Sequence, residues 1–457
     1  MNKLIVTKFG GSSLSNDIQF KKVKDIILKD KNRQYIVVSA PGKAFEGDYK
    51  VTDLLYKCYS CTNNKDLFEN YFNMIEKKYI SICENLKIDI DIKKLLSEIR
   101  NNFFNGASKD YILSRGEYLN GLIFAKFINF KFIDPAEIIK FRENGTLDKN
   151  MTKILISKKL SHITEAIIPG FYGSTKDGSI KTFPRGGSDI TGSIISSVMN
   201  ASLYENWTDV SGVLLANPHI IDNPKVIKYM TYSEIKQLSH MGAEVLNEDS
   251  IAPVKKKGIP ISIKNTNRPY DIGTIISDNL DNEDNENIIA GISAKRNYSI
   301  ITLSKSYTSK NDLNIIFSIF DDYNINIEYL SFDYDSVSLI VPDLILNTCE
   351  GYFINGIKTR IDPTSICIKH DISLVGIVIR DVNKYNDILY TSLKNLSYQN
   401  IDIEIIIQSS SSYKSNIILG IKDFNSSRAI KSLYKSINNI NSNSNINTKY
   451  KTVNINF

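Results

Sequence analysis

The chain has 457 residues, 42% hydrophobic and 23% charged, with a net charge of +6; it is longer than one hydrophobic core sustains and implies about two to four domains. That composition excludes a disordered or fibrous protein, and lysines scattered among acids, with no basic stripe interleaved with aromatics, argue against a nucleic-acid partner. No apolar run approaches the roughly 18 residues that span a bilayer, so no membrane partner is expected; the first glycine turn leaves no room before it for a signal peptide, and the expected location is cytoplasmic.

In chain order, short β-branched runs alternate with helical patterns. The sequence predicts strands at 4–8, 35–39, 132–134, 166–169, 201–205 and 260–264, and helices at 17–28, 75–85, 111–127, 150–160, 189–199 and 231–241. Such alternation implies an α/β fold with a mostly parallel central sheet covered on both faces. A helix from Val51 carries Cys58 and Cys61, a Cys-x-x-Cys with no second pair and no histidine nearby, which reads as two thiols on one helical face. With Cys83, Cys349 and Cys367 the cysteines number five, an odd count that does not suit a disulfide framework. His162, His219, His240 and His370 stand isolated, so no metal-ligand set is expected.

The polar, acidic run at 277–287 is too poor in apolar residues to pack and reads as a linker. Beyond it two α+β segments repeat one order of elements. The first has strands near 298–303, 325–332 and 336–341 and a helix over 313–323; the second has strands near 372–379, 401–407 and 415–421 and a helix over 385–396. The expected domains are 1–287, 288–370 and 371–440, followed by a polar tail at 441–457.

The chemistry concentrates in loops at the C-terminal ends of the first-half strands, where open α/β sheets bind ligands. Lys8-Phe9-Gly10-Gly11-Ser12-Ser13 delivers a lysine and two glycines into a hydroxyl-rich turn. Glycines let backbone N–H groups approach an anion, and the lysine adds a positive charge. Its order is not the Gly-x-x-x-x-Gly-Lys-Ser/Thr pattern, and taken alone it also fits an ordinary strand-to-helix turn. Ser39-Ala40-Pro41-Gly42 ends a strand in a hydroxyl and a tight turn, and Ser114-Arg115-Gly116-Glu117 places a carboxylate at or near a helix start. Arg185-Gly186-Gly187-Ser188-Asp189 opens a helix and offers an anion its positive end. Asn206-Trp207-Thr208-Asp209-Val210-Ser211-Gly212-Val213 follows a strand, as a nucleoside-holding loop does.

These motifs, with Met241-Gly242-Ala243-Glu244-Val245-Leu246 and Lys264-Asn265-Thr266, match in order those of aspartate kinases, which the chain resembles over about 3–437. The resemblance implies a three-layer amino-acid-kinase fold followed by two ferredoxin-like ACT modules, in the monofunctional form that lacks a homoserine dehydrogenase. It implies transfer of the ATP γ-phosphoryl group to the side-chain carboxylate of L-aspartate, giving 4-phospho-L-aspartate, the first step toward lysine, threonine and methionine. By the same match Lys8 stabilises charge on the transferred group, Gly10, Gly11 and Ser12 cradle it, and Asp189 organises the centre. Arg185 binds the aspartate α-carboxylate, Glu117 its α-ammonium, and Ser39, Thr52 and Ser188 help to fix it. Thr208, Asp209, Leu214 and His219 line the ATP site, and Mg²⁺ bridges the phosphates with few protein ligands. The implied partners are a lysine and/or threonine effector and a second copy of the chain, joined through the ACT modules as a homodimer or higher oligomer.

The chain departs from the family at three places. Ala216-Asn217-Pro218-His219 has histidine where an arginine is usual, Glu244 stands where lysine is common, and Asn247 where a histidine is common. The effector loops, 331–335 and 408–413, are unusual, the second lacking the glycine common after its glutamine. Two other readings remain open at this level: another amino-acid kinase such as a glutamate kinase, and a catalytically silent amino-acid sensor that keeps the kinase shell.

Overall fold

A computed structural model describes residues 3–184, 186–243, 246, 248–278, 287–305, 310–411 and 414–447. The chain divides into two compact units, one of 1–213, 226–236 and 244–281, the other of 214–225, 237–243 and 282–457.

In the first unit the β-branched runs Ile5–Phe9, Arg33–Val38, Ala166–Pro169 and Ile261–Asn265 become strands of one eight-stranded sheet. Its order is Tyr229–Met230, Thr274–Ile276, Ile261–Asn265, Leu203–Thr208, Ile5–Phe9, Arg33–Val38, Ala166–Pro169, Lys131–Phe132. Every neighbouring pair is parallel except Ile261–Asn265 with Thr274–Ile276. Continuous burial of Ile5–Phe9 fits a strand covered on both faces.

Helix Asp17–Leu28 is capped by Asn16, whose side chain accepts the Gln19 N–H at 3.0 Å. It shares an apolar core with Val51–Ser60, Lys65–Leu86, Ile92–Phe104 and Lys109–Ile128, where Phe68 meets Phe103 edge-on at 5.1 Å. Helix Ile92–Phe104 lay outside the sequence expectation, although its Asp91 cap and its buried Leu96, Ile99 and Phe103 follow the helical period. The Cys-x-x-Cys belongs to this core: all five thiols are free, and burial pushes Cys58 up to about 12 and Cys83 up to about 11. Thiols held protonated in this way are packing groups and poor nucleophiles.

In the second unit six antiparallel strands form one sheet, in the order Tyr329–Phe332, Ser336–Pro342, Ile289–Ser304, Ser365–Ile379, Lys414–Lys422, Ile403–Ser411. Two strands are long and serve both modules. Residues 298–304 pair with 336–342, while 289–295 pair with 374–379 and, among the described residues, with no other strand. The second module thus takes a strand from ahead of the first, which is nested inside it; the expected start near 372 marks only its return. Four helices, Lys310–Asp322, Asp343–Arg360, Tyr385–Tyr398 and Ser426–Asn447, complete the pair.

Residues 279–286 of the expected linker, 412–413 of the second effector loop and 448–457 of the tail lie outside the described residues. Among the described residues no helix is long and apolar enough to cross a membrane.

Below the ligand end of the first sheet, Arg33 grips Glu205 through two hydrogen bonds, 2.7 Å from Nε and 3.0 Å from Nη2. The Trp207 indole N–H donates to the same carboxylate at 2.9 Å. Glu205 is buried and Arg33 half-buried, so Arg33→Met should cost about 3–5 kcal/mol in chemical denaturation by leaving the buried Glu205 uncompensated. The Arg33→Met/Glu205→Leu pair should recover most of that loss.

Candidate active site

The parallel register places Lys8 directly beside Asn206 on the neighbouring strand. From there the Lys8 ammonium reaches Asp189 Oδ1 at 2.7 Å and Asn206 Oδ1 at 3.5 Å, and Asn206 Nδ2 donates to Asp189 Oδ1 at 2.8 Å. The Tyr204 hydroxyl donates to the Asp189 carbonyl at 3.1 Å. Asp189 lies in the first turn of helix Gly187–Val198, whose cap Gly186 has a φ of 76°, a left-handed turn that suits glycine.

Two sets of backbone donors face this centre. The Gly10 N–H is spent on the Trp207 carbonyl at 2.9 Å, so Gly10 contributes closeness and no donor. Among the described residues the N–H groups of Gly11 and Ser12, and those of Gly187 and Ser188, make no hydrogen bond within the chain. The second pair lies at the positive end of a 12-residue helix.

Lys8, Gly10, Gly11, Ser12, Ser39, Thr52, Glu117, Ser188, Asp189, Thr208 and Asp209 all line one cleft of about 570 Å³. Leu214 and His219 are not among its lining residues; Arg185, Glu244 and Asn247 lie outside the described residues. The sequence did not single out Lys43, Lys50 and Phe171 on the cleft wall, and it read Asn206 as part of a nucleoside loop and not as a partner of Asp189. For Lys43, a lysine right after a Pro-Gly turn was the signal available. Phe171 has a φ of 79°, a costly conformation for an aromatic residue, held by its N–H on Thr191 Oγ1 at 3.1 Å.

Glu117 sits in the middle of helix Lys109–Ile128 and not at its start, because Ser108 caps the helix two turns earlier. It is fully buried with Oε2 unpartnered, and burial drives its carboxyl up to about 8 against the opposing pull of the Ala40 N–H. Nearby, Asn120 Nδ2 donates to the Ser39 carbonyl at 2.6 Å while its Oδ1 has no partner. An unsatisfied carboxylate oxygen inside a ligand cleft suits a cationic ligand group.

Asn265 and Thr266 brace the loops of the cleft. The Thr266 hydroxyl meets that of Ser13 at 2.7 Å, and Asn265 Nδ2 donates to the Asp209 carbonyl at 3.1 Å. As for a metal, no cluster of three potential ligands exists among the described residues, but Asp189 and Asp209 border the cleft. One or two carboxylates with phosphate oxygens are what Mg²⁺ takes, so the residues fit a nucleotide-borne ion.

Comparison with known proteins gives a match of residues 3–265 to the amino acid kinase family. Aspartokinase 3 of Bacillus subtilis is 30% identical, covering 94% of this chain and 98% of its own length. The Clostridium acetobutylicum aspartate kinase structure is 44% identical, with a TM-score of 0.81, covering 95% of this chain and all of that one. Escherichia coli aspartokinase III, solved with aspartate and ADP, superposes with a TM-score of 0.79 over 95% of this chain and 99% of its own, at 21% identity.

The Glu117 ionisation has a measurable consequence. Its folded-state value lies above the ordinary 4.5, so folding loses stability as pH rises from about 4.5 to about 8, by roughly 1.4 kcal/mol per unit. Glu117→Gln removes that loss: its Tm should exceed that of the parent protein by a margin that grows across this window and levels off above it. A margin independent of pH would show that Glu117 is ionised throughout.

Proposed function

From the premise that this chain belongs to the amino acid kinase family, as an ATP-dependent kinase of the aspartokinase group, we propose that its cleft phosphorylates the side-chain carboxylate of L-aspartate. The observation that carries this reading is the Lys8–Asp189 pair, flanked by two sets of free N–H donors, in one cleft with the buried Glu117. A carboxylate oxygen of aspartate attacks the γ-phosphorus; the bond to the β–γ bridging oxygen breaks, and ADP leaves with its electrons. No proton moves in that step, so the work is positioning and charge stabilisation.

In this reading Lys8 takes up charge developing on the transferred group, held in place by Asp189 and Asn206. Gly11 and Ser12 supply donors from one side and Gly187 and Ser188 from the other. Glu117 receives the α-ammonium, and the Ser39 and Thr52 hydroxyls border the same wall; Arg185 is assigned the α-carboxylate. Thr208 and Asp209 contact the nucleotide, and Asp189 and Asp209 would hold Mg²⁺, which supplies neutralisation of phosphate charge.

The ACT pair is assigned to feedback control by lysine and/or threonine, with 1–287 as the catalytic part and 288–440 as the regulatory part, the first module nested within the second. An effector acts only by differential affinity for two conformations, with coupling of about 1–3 kcal/mol. Assay with ATP and aspartate tests the whole proposal, with glutamate as the competing acceptor and lysine and threonine added singly and together. Aspartate turnover should dominate and fall with at least one effector; ADP release with glutamate alone would overturn the acceptor assignment.

Lys8→Ala should lower kcat about 10²–10³-fold in a protein that stays folded, with a Tm lowered by the loss of the Asp189 partner. Retention of more than about a third of kcat would remove Lys8 from the centre.

A further inference from the structure

Gly42, the residue before Lys43, is held on both sides, through its N–H and through its carbonyl. The Gly42 N–H donates to the Gly11 carbonyl at 2.8 Å, and the Gly42 carbonyl accepts the Lys78 ammonium at 2.8 Å. The approach to the phosphate turn is as close as backbone allows: a Cβ on Gly42 would lie 2.6 Å from the Ser12 nitrogen, and one on Gly11 would lie 2.8 Å from the Ala40 carbonyl oxygen. Residue 43 therefore leaves the chain immediately beside the free Gly11 and Ser12 N–H groups.

Lys78 projects from helix Lys65–Leu86 and is half-buried. Its other two acceptors are Asp48 Oδ2 at 2.8 Å and the Tyr49 carbonyl at 2.9 Å. Asp48 closes the segment by accepting the N–H groups of Ala44 and Tyr49, each at 2.7 Å. An ammonium with three oxygens around it is a strut, its three donors all spent. The residue it presents is different. Lys43 lines the cleft, is exposed, and has no hydrogen-bond, ion-pair or ring partner among the described residues.

We propose that Lys43 is a second phosphate-binding cation of the cleft, directed at the terminal phosphates of the nucleotide, and that Lys78 and Asp48 are the positioning residues that aim it. The charge balance supports this: the Lys8 charge is already matched by Asp189 at 2.7 Å, whereas that of Lys43 is uncommitted. The assignment rests on the reading of the cleft as the kinase site.

The test is nucleotide binding by calorimetry, read without any acceptor so that it stands apart from the identity of the amino acid. The probes are the β,γ-methylene analogue of ATP, with magnesium, and AMP. Lys43→Gln should weaken the analogue roughly five- to twentyfold and leave AMP and the Tm unchanged; Lys43→Arg should restore most of the affinity. In turnover the KM for ATP should rise with the KM for aspartate unaltered. Lys78→Met, or Asp48→Asn if that variant fails to fold, should weaken the analogue in the same sense, and its combination with Lys43→Gln should be no weaker than Lys43→Gln alone. Unchanged analogue affinity in Lys43→Gln, equal losses for the analogue and AMP, or additive losses in the double variant would each overturn the proposal. Aspartate turnover that fails while the analogue result holds would count against the acceptor alone.

Discussion

The contact between Lys8 and Asp189 is the constraint around which the first unit is arranged. A lysine near the end of a buried strand is tolerable only with an anion and hydrogen-bonding groups close by. Both arrive by sheet geometry, Asn206 from the paired strand and Asp189 from the helix that crosses it. Register is therefore the variable that matters: a slip of one residue would turn Lys8 to the opposite face of the sheet. Deeper along the same strands the Arg33–Glu205 pair, read by Trp207, fastens three neighbouring strands against such a slip. The ion pair at the ligand end is precise because another fixes the sheet beneath it.

Opposite that centre the cleft is deliberately incomplete in its polar bonding. Glu117 and Asn120 each keep a buried oxygen without a partner, on one helix, against the same strand end. Each such oxygen costs free energy in the empty protein that a bound donor returns. Phe171, in a conformation aromatic residues avoid, adds backbone strain on the same cleft.

Much of this was legible from the sequence, because short-range patterns encode it. The glycine turn, the Arg-Gly-Gly-Ser-Asp helix start and the Thr-Asp loop each carry their own geometry, and α/β alternation fixes the rest of the sheet. What was hidden depends on distant partners. Nothing local says that Lys78 will reach back to Gly42, that Gly10 will give its N–H to Trp207, or that Glu117 will lie mid-helix under a strand end. The nesting of the ACT modules was hidden for the same reason: strand 289–295 has no partner within reach along the chain, and its pairing with 374–379 spans the whole intervening module.

That nesting makes the first ACT module a cassette. Its chain enters and leaves through adjacent antiparallel strands, Tyr298 standing opposite Ile372. The ends of such an insert are already side by side, so a short turn in its place would leave the 289–295 and 372–379 strands joined as a simple hairpin. The second module would stay closed. The inner module is thus free to be exchanged, duplicated or lost over evolutionary time without unravelling its host, and the outer one is not.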